Sequence, residues 1–448
     1  MNRLAAFALG VLTSCAPIPD APPSRAVALV NSLPPMKAFV TETVTPATRS
    51  NAEMAQDFLD LSFRMESGRT IPVMSRFEGP ITVRMAGTPS DSMTTDLDAL
   101  LTRLRNEAGI DITLTNAPQA AITVEAIPQA QLQRAVPRAA CFVVPRITSW
   151  DEFLLARHTS QVDWTTLTRR ERAVIFVPSD AAPQEIRDCL HEELAQALGP
   201  LNDLYRLPDS VFNDDNIHTV LTGFDMLVLR AFYAPELSSG MTRADVAERL
   251  PALLARLNPR GQRAGAPALT DTSRDWITAM ETALTSGSTP GRRRQAAARA
   301  IQLGEAFGWR DTRAGFALYA NGRLQVGHDS AAALASFNAA EAVYRADPVT
   351  SVHTAHIAVQ KAAFALAAGD AQTTLTLAEE AIPVARRHQN AALMATLMMF
   401  KAEALAMTGN TVEAEAVRLD SLGWARYGFG SDLNVQARLA EIAALRPF

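Results

Sequence analysis

The 448-residue chain has no long uninterrupted apolar run, no excess of either charge and only three cysteines. A membrane-spanning helix needs about 20 apolar residues in succession, and no stretch of the chain supplies them. The 42 basic and 47 acidic residues are well mixed, with a net charge of −5. That balance excludes a basic surface for nucleic acid or for an anionic membrane. What remains is ample length for two or three domains with sizeable cores.

The N-terminus has its own texture. Met1-Asn2-Arg3 gives a positive start, Leu4 to Leu12 a short apolar run, and Leu12-Thr13-Ser14-Cys15 a cleavage-site pattern ending in cysteine. It resembles the bacterial lipobox, which implies a signal peptide over 1–14 and lipid on Cys15. Pro17, Pro19, Pro22 and Pro23 follow at once, so 15–50 reads as a tether. Ala16 stands where an aspartate would signal inner-membrane retention, so the expected location is the outer membrane, facing the periplasm. With Cys15 lipidated, Cys141 and Cys189 remain. They are either two buried thiols or a disulfide, and an oxidising compartment favours the disulfide.

Residues 51–250 alternate helical and strand patterns. Asn51 to Met65 has apolar residues along one helical side, as has Asp96 to Ala108. Strands are expected at Ile81 to Met85, Ile110 to Leu114, Ala121 to Ile127, Cys141 to Val144 and Ala173 to Val177. Between Pro183 and Leu198 a helix sets Ile186, Leu190, Leu194 and Ala197-Leu198 on one stripe, facing the sheet. Glu192 and Gln196 lie four apart on an adjoining stripe, the arrangement two helical metal ligands need.

From Glu192 to Asp203 the chain resembles the metzincin pattern H-E-x-x-H-x-x-G-x-x-H. Glu193 takes the general-base position and Gly199 the sharp turn, while Glu192, Gln196 and Asn202 replace the three zinc-ligand histidines. Phe212, in Ser210-Val211-Phe212-Asn213, stands at the methionine of the Met-turn, and Leu221 to Tyr233 is similar to the closing helix of matrixin-like domains. The stretch from about Asn51 to Met241 further resembles domain of unknown function 2927, a family of bacterial envelope proteins, through Arg76 to Pro80, Cys189 to Asp203, Phe212 to Asp215 and the helix ending at Tyr233. These resemblances imply an α+β, zincin-like domain with a twisted mixed sheet and an active-site helix.

A linker is expected over 251–270, centred on Asn258-Pro259-Arg260-Gly261. From 271 to 448 the chain is rich in alanine and lacks strand signals. Gly327, Gly369 and Gly409 mark turns about forty residues apart. With Ala333, Phe337, Ala340 and Pro348, this resembles long, degenerate tetratricopeptide repeats, an all-α solenoid of the kind that binds partners on its concave face.

Three readings of the site compete. Carboxamides are poor zinc ligands, so a metal-free pseudoprotease that binds peptides or proteins comes first, with no cofactor and no nucleic acid. A peptidase or other hydrolase using Glu193, with zinc or a hard divalent ion at an atypical site, is the alternative. A purely structural domain is the third. His191 and His218 are placed as hydrogen-bonding or surface residues, and Asp214-Asp215 as a solvated turn.

Overall fold

The computed structural model describes residues 33–39, 45–137, 139–265, 269–285 and 287–447. Cys15 and the lipobox therefore lie outside the described residues. The N-terminal part is α/β. In chain order it comprises α1 (Asn51–Ser62), β1 (Ile81–Gly87), α2 (Asp91–Ala108), β2 (Ile112–Leu114), β3 (Ile122–Ile127), α3 (Gln129–Ala135), β4 (Phe142–Pro145), α4 (Trp150–Ala156), β5 (Ala173–Pro178), α5 (Pro183–Leu198), α6 (Gly223–Phe232) and α7 (Arg243–Leu257). Ser50 starts α1 through a reciprocal cap with Glu53.

Among the described residues the strands form one five-stranded sheet in the order β2-β1-β3-β5-β4. β1, β2, β3 and β5 run parallel, and β4 closes one edge antiparallel to β5, with Val143 opposite Ile175. Every residue of β5 is buried, as expected of a strand covered on both faces. Its Ala173, Ile175 and Val177 join the large core beneath α2, α5 and α6. Val174 and Phe176 point the other way, into a small aromatic core with Trp150 and Phe153 of α4 and Leu132 of α3.

The all-helical part follows: α8 (Arg274–Leu284), α9 (Pro290–Ala306), α10 (Thr312–Gln325), α11 (Ser330–Arg345), α12 (Ser351–Ala367), α13 (Ala371–Arg387), α14 (Ala391–Met407), α15 (Thr411–Phe429) and α16 (Asp432–Ala443). Gly327, Gly369 and Gly409 separate α10 from α11, α12 from α13 and α14 from α15, all with positive φ (80°, 78° and 84°). Left-handed backbone at these turns is what glycine supplies without a steric cost. The region is built of helical-hairpin repeats.

Two sequence expectations need amendment. Residues 251–257, placed in the linker, form the end of α7, and Asn258 exchanges hydrogen bonds with Asn51 of α1. The tether is packed where it is described: Lys37 N–H donates to the Gly423 carbonyl, Arg426 donates to the Pro34 carbonyl, and Phe39 packs on Trp424. The hairpins also bury apolar surface on the α/β part as well as on one another. Tyr205 joins the core of Trp276 and Phe316, and Ile217 that of Val352 and Met394.

Candidate functional site

α5 is held on every side. Ile186, Leu190, Leu194, Ala197 and Leu198 are buried toward the sheet. The opposite face docks on the helical part. Gln184 donates to Asn390 Oδ1 at 3.1 Å and accepts from the Ala392 N–H at 2.9 Å, and Arg187 donates to the Gln389 carbonyl and lies over Tyr427. Cys189, in the middle of α5, is disulfide-bonded to Cys141, one residue before β4. The helix bearing the motif is thereby fastened to the edge strand.

At its C-terminus, α5 leaves four carbonyls without helical partners. Arg170 fills that need: it donates to the carbonyls of Gln196 at 2.6 Å, Ala197 at 2.7 Å and Gly199 at 2.5 Å. The Tyr233 hydroxyl takes the Leu198 carbonyl at 2.9 Å. Burial brings the Arg170 guanidinium down to about 10, so it stays charged at neutral pH. Gly199 has a φ of −154°, so the turn is not left-handed. A Cβ added at Gly199 would lie 3.2 Å from the Phe232 ring, closer than ordinary contact, so that ring would have to shift by a few tenths of an ångström.

Beyond the turn, Asp225 of α6 clasps the 210–212 segment, accepting from Ser210 Oγ at 2.5 Å and the Val211 N–H at 3.2 Å. Phe212 is fully buried in the large core. Arg76 donates to the carbonyls of Phe232 and Ala234, closing the end of α6.

The motif residues fall into two groups. Asn202 donates its amide to the Asp60 carbonyl of α1 at 2.9 Å. Gln196 reaches Asp203 instead, at 3.4 Å. Glu192, Glu193 and Asp203 share a carboxyl cluster with Asp214 and Glu66. Burial, then Glu66 and Asp214, push Glu192 up to about 7. Burial and the neighbouring Glu192 and Glu66 carry Glu193 well above the usual carboxylate range, and a backbone hydrogen bond from Val143 of β4 offsets only part of this. Asp203 is raised well above its usual range by burial and by Glu66, and Asp214 rises to about 6 for the same two reasons. Glu193 Oε2 and Asp203 Oδ1 are buried without a hydrogen-bond partner.

His191 accepts the Leu221 N–H at Nδ1 and, with its pKa far below normal through burial, is neutral. His218 lies against the Pro208 carbonyl, in a cluster with His353 and His388. The Asp214-Asp215 pair is not a solvated turn. Asp215 is buried and accepts from Asn213, from the Ile217 N–H and from His353, while Asp214 faces Tyr205.

A zinc centre does not fit this donor set. Among the described residues no three His, Cys, Asp or Glu side chains are arranged to hold a metal ion, and Asn202 is turned toward α1.

The stretch built in this way is a known one. Residues 51–252 match the family described as Protein of unknown function (DUF2927). The match begins with α1 and ends inside α7, so the site lies within it and the helical repeats lie outside it. No curated protein matches the chain, and no solved structure does.

Proposed function

We propose that this chain is a lipid-anchored protein of the bacterial envelope whose DUF2927 region is a degenerate, metzincin-like peptidase domain that binds peptide or protein partners without cleaving them. The helical hairpins, read as degenerate tetratricopeptide repeats, serve as its scaffold for interaction.

The observation that carries this reading is the state of Glu193. A general base must be ionised to accept a proton. Here the motif glutamate is 5% exposed, packed among other carboxyls and raised well above its usual range by that burial, so its surroundings favour the protonated form, which cannot serve as a base. The remaining features agree. Glu192, Gln196 and Asn202 are hard oxygen donors or amides rather than imidazoles, and the α5 helix is braced by a disulfide and an arginine cap as a binding wall would be. The edge strand β4 runs beside Glu193, and an edge strand is a template for an extended peptide.

The test compares the full chain carrying Cys15→Ser with the same protein also carrying Glu193→Gln. Both are incubated with a mixed peptide pool and followed by mass spectrometry. We expect no cleavage products that distinguish the two. Proteolysis abolished by Glu193→Gln overturns the reading in favour of an enzyme.

A further inference from the structure

Histidines gather where the repeats meet the α/β part. His218 lies in the loop between α5 and α6, His353 and His356 are on α12, and His388 follows α13. The His218 ring is 5.7 Å from that of His353 and 5.6 Å from that of His388. His218 and His388 line a cavity of about 250 Å³ at this joint, together with Arg103, Ser351 and Arg387.

Positive charge arriving here is poorly met. His218 Nε2 lies 3.0 Å from the Pro208 carbonyl and His388 Nε2 3.3 Å from Ser351 Oγ. Among the described residues neither ring has a carboxylate as hydrogen-bond partner. Asp215 is already engaged by His353, Asn213 and the Ile217 N–H, and Asp209 is held by Arg49. The remaining charges nearby are cations: Arg387 beside His388, Arg103 on the same cavity and Arg323 of α10 toward His356. Tyr344 of α11, whose ring lies 4.8 Å from His353, is kept neutral by burial. His353 Nδ1 and His356 Nε2 are buried without a partner. Two charged imidazoles in this cluster would repel each other at close range.

The same segment carries the docking of α5. Gln389 and Asn390, which follow His388, hold Arg187 and Gln184. The Thr219 hydroxyl reaches the His388 carbonyl at 3.4 Å. Gln389 has a φ of 53°, at a turn where the other hairpins place Gly327, Gly369 and Gly409. Its side chain serves Arg187 at a conformational cost that only packing sustains. The large core, by contrast, lies wholly within the α/β part.

We propose that this joint is acid-sensitive: protons on His218 and His388 part the repeats from the α/β part, uncovering Gln184 and Arg187 of α5 while each part keeps its fold. The device needs nothing of the peptide-binding reading above. Parted, the two imidazoles meet water and titrate near 6.5; packed, burial and the neighbouring cationic groups hold both lower. The open form therefore binds more protons below pH 6.5 and is favoured as pH falls. At pH 5 each ring multiplies the opening constant by about thirty, and the two together by about a thousand. The carboxyl cluster at α5 titrates with the opposite sign, so substitutions at the histidines are needed to isolate their part.

Small-angle X-ray scattering and circular dichroism of the full chain carrying Cys15→Ser, followed from about pH 7.5 to 4.5, test this. The radius of gyration should rise below about pH 6.5 while the helix and strand signal persists. His218→Gln/His388→Gln keeps polar side chains that cannot charge. Its opening constant at pH 5 should lie about a thousandfold below that of the wild type, so it stays compact there. Should the double variant fail to fold, His388→Gln alone should lower the constant about thirtyfold. A radius of gyration that is constant down to pH 4.5 overturns the device. So does expansion that coincides with loss of the dichroism signal, or a variant that opens at the same pH as the wild type.

Discussion

His353 Nε2 donates to Asp215 Oδ2 at 3.1 Å, and this bond crosses from the helical repeats to the α/β part of the chain. Around it the His218 ring lies 5.7 Å from that of His353 and 5.6 Å from that of His388, with His356 close by on α12. These imidazoles face Asp215, Asp209, Arg323 and Arg387 from the packed elements. Burial is the first cause of their low basicity: His356 falls to about 4, His388 to about 3, and His218 is lowered too. Unfolded histidine titrates near 6.5, so between pH 6.5 and about 3 the unfolded chain binds more protons. The stability these residues contribute is full above pH 6.5 and is lost on acidification. His388→Gln should therefore flatten the fall in melting temperature between pH 6.5 and 4. An acid limb as steep as that of the wild type contradicts this.

The carboxyl cluster has the opposite sign. Glu192 and Asp214 titrate near 7 and 6 in the folded protein, above the usual carboxylate values, so folding takes up protons there. Their contribution is present at low pH and lost as pH rises from about 4.5 through 7. Glu192→Gln should raise stability by about 1–3 kcal/mol at pH 8 and leave it nearly unchanged at pH 5. Calorimetry at the two pH values separates this from a general packing effect, which would move both alike.

Arg170→Met should cost about 3–5 kcal/mol, because three carbonyls at the end of α5 lose a buried charged donor. Arg170→Lys should fail to restore stability, since an ammonium lacks the planar fork that reaches the carbonyls of 196, 197 and 199 together. Equal melting temperatures for wild type and the lysine variant would show that charge alone suffices.

Much of this architecture is legible in single-sequence patterns. The stripe on α5 and the alternation of β1 carry local information, because burial on one face writes a period into the chain. The glycines at 327, 369 and 409 are legible because left-handed turns restrict residue type. What is not legible depends on distance. Arg170 reads as one of many polar residues until the fold brings it to α5, and His353 meets Asp215 across 138 positions. Gln184 and Arg187 look like a solvated helix face, yet they are the docking face of α5 on the repeats. Asn202 suits a ligand position by spacing, but its amide finds the Asp60 carbonyl.

Joining Cys141 to Cys189 closes a loop with a sequence separation of 48. A link of that size stabilises by about 2–4 kcal/mol, largely by restricting the unfolded chain. Protein prepared without reductant should show the linked peptide by mass spectrometry, and Cys141→Ala with Cys189→Ala should lower the denaturation midpoint accordingly. Two alkylatable thiols in native material would rule the bond out.

Tyr205 decides whether the two parts of the chain are separable. Its ring meets Trp276 of α8 at 5.0 Å and Phe316 of α10 at 6.1 Å, while its hydroxyl faces Asp214 of the carboxyl cluster. Ile217 does the same for the later repeats, inside the cluster of Val352 and Met394. A fragment from Asp271 onward leaves Trp276 and Val352 without these covers, so it should be less stable than the same helices within the full chain. Tyr205→Ala removes a buried aromatic ring and should cost about 3–5 kcal/mol. Because the lost contact lies between the parts, the wild-type chain should melt in one transition and the variant in two, the α/β part and the repeats unfolding separately. A variant that still melts in one transition, or a fragment as stable as the full chain, would place the cohesion of the molecule elsewhere than at Tyr205.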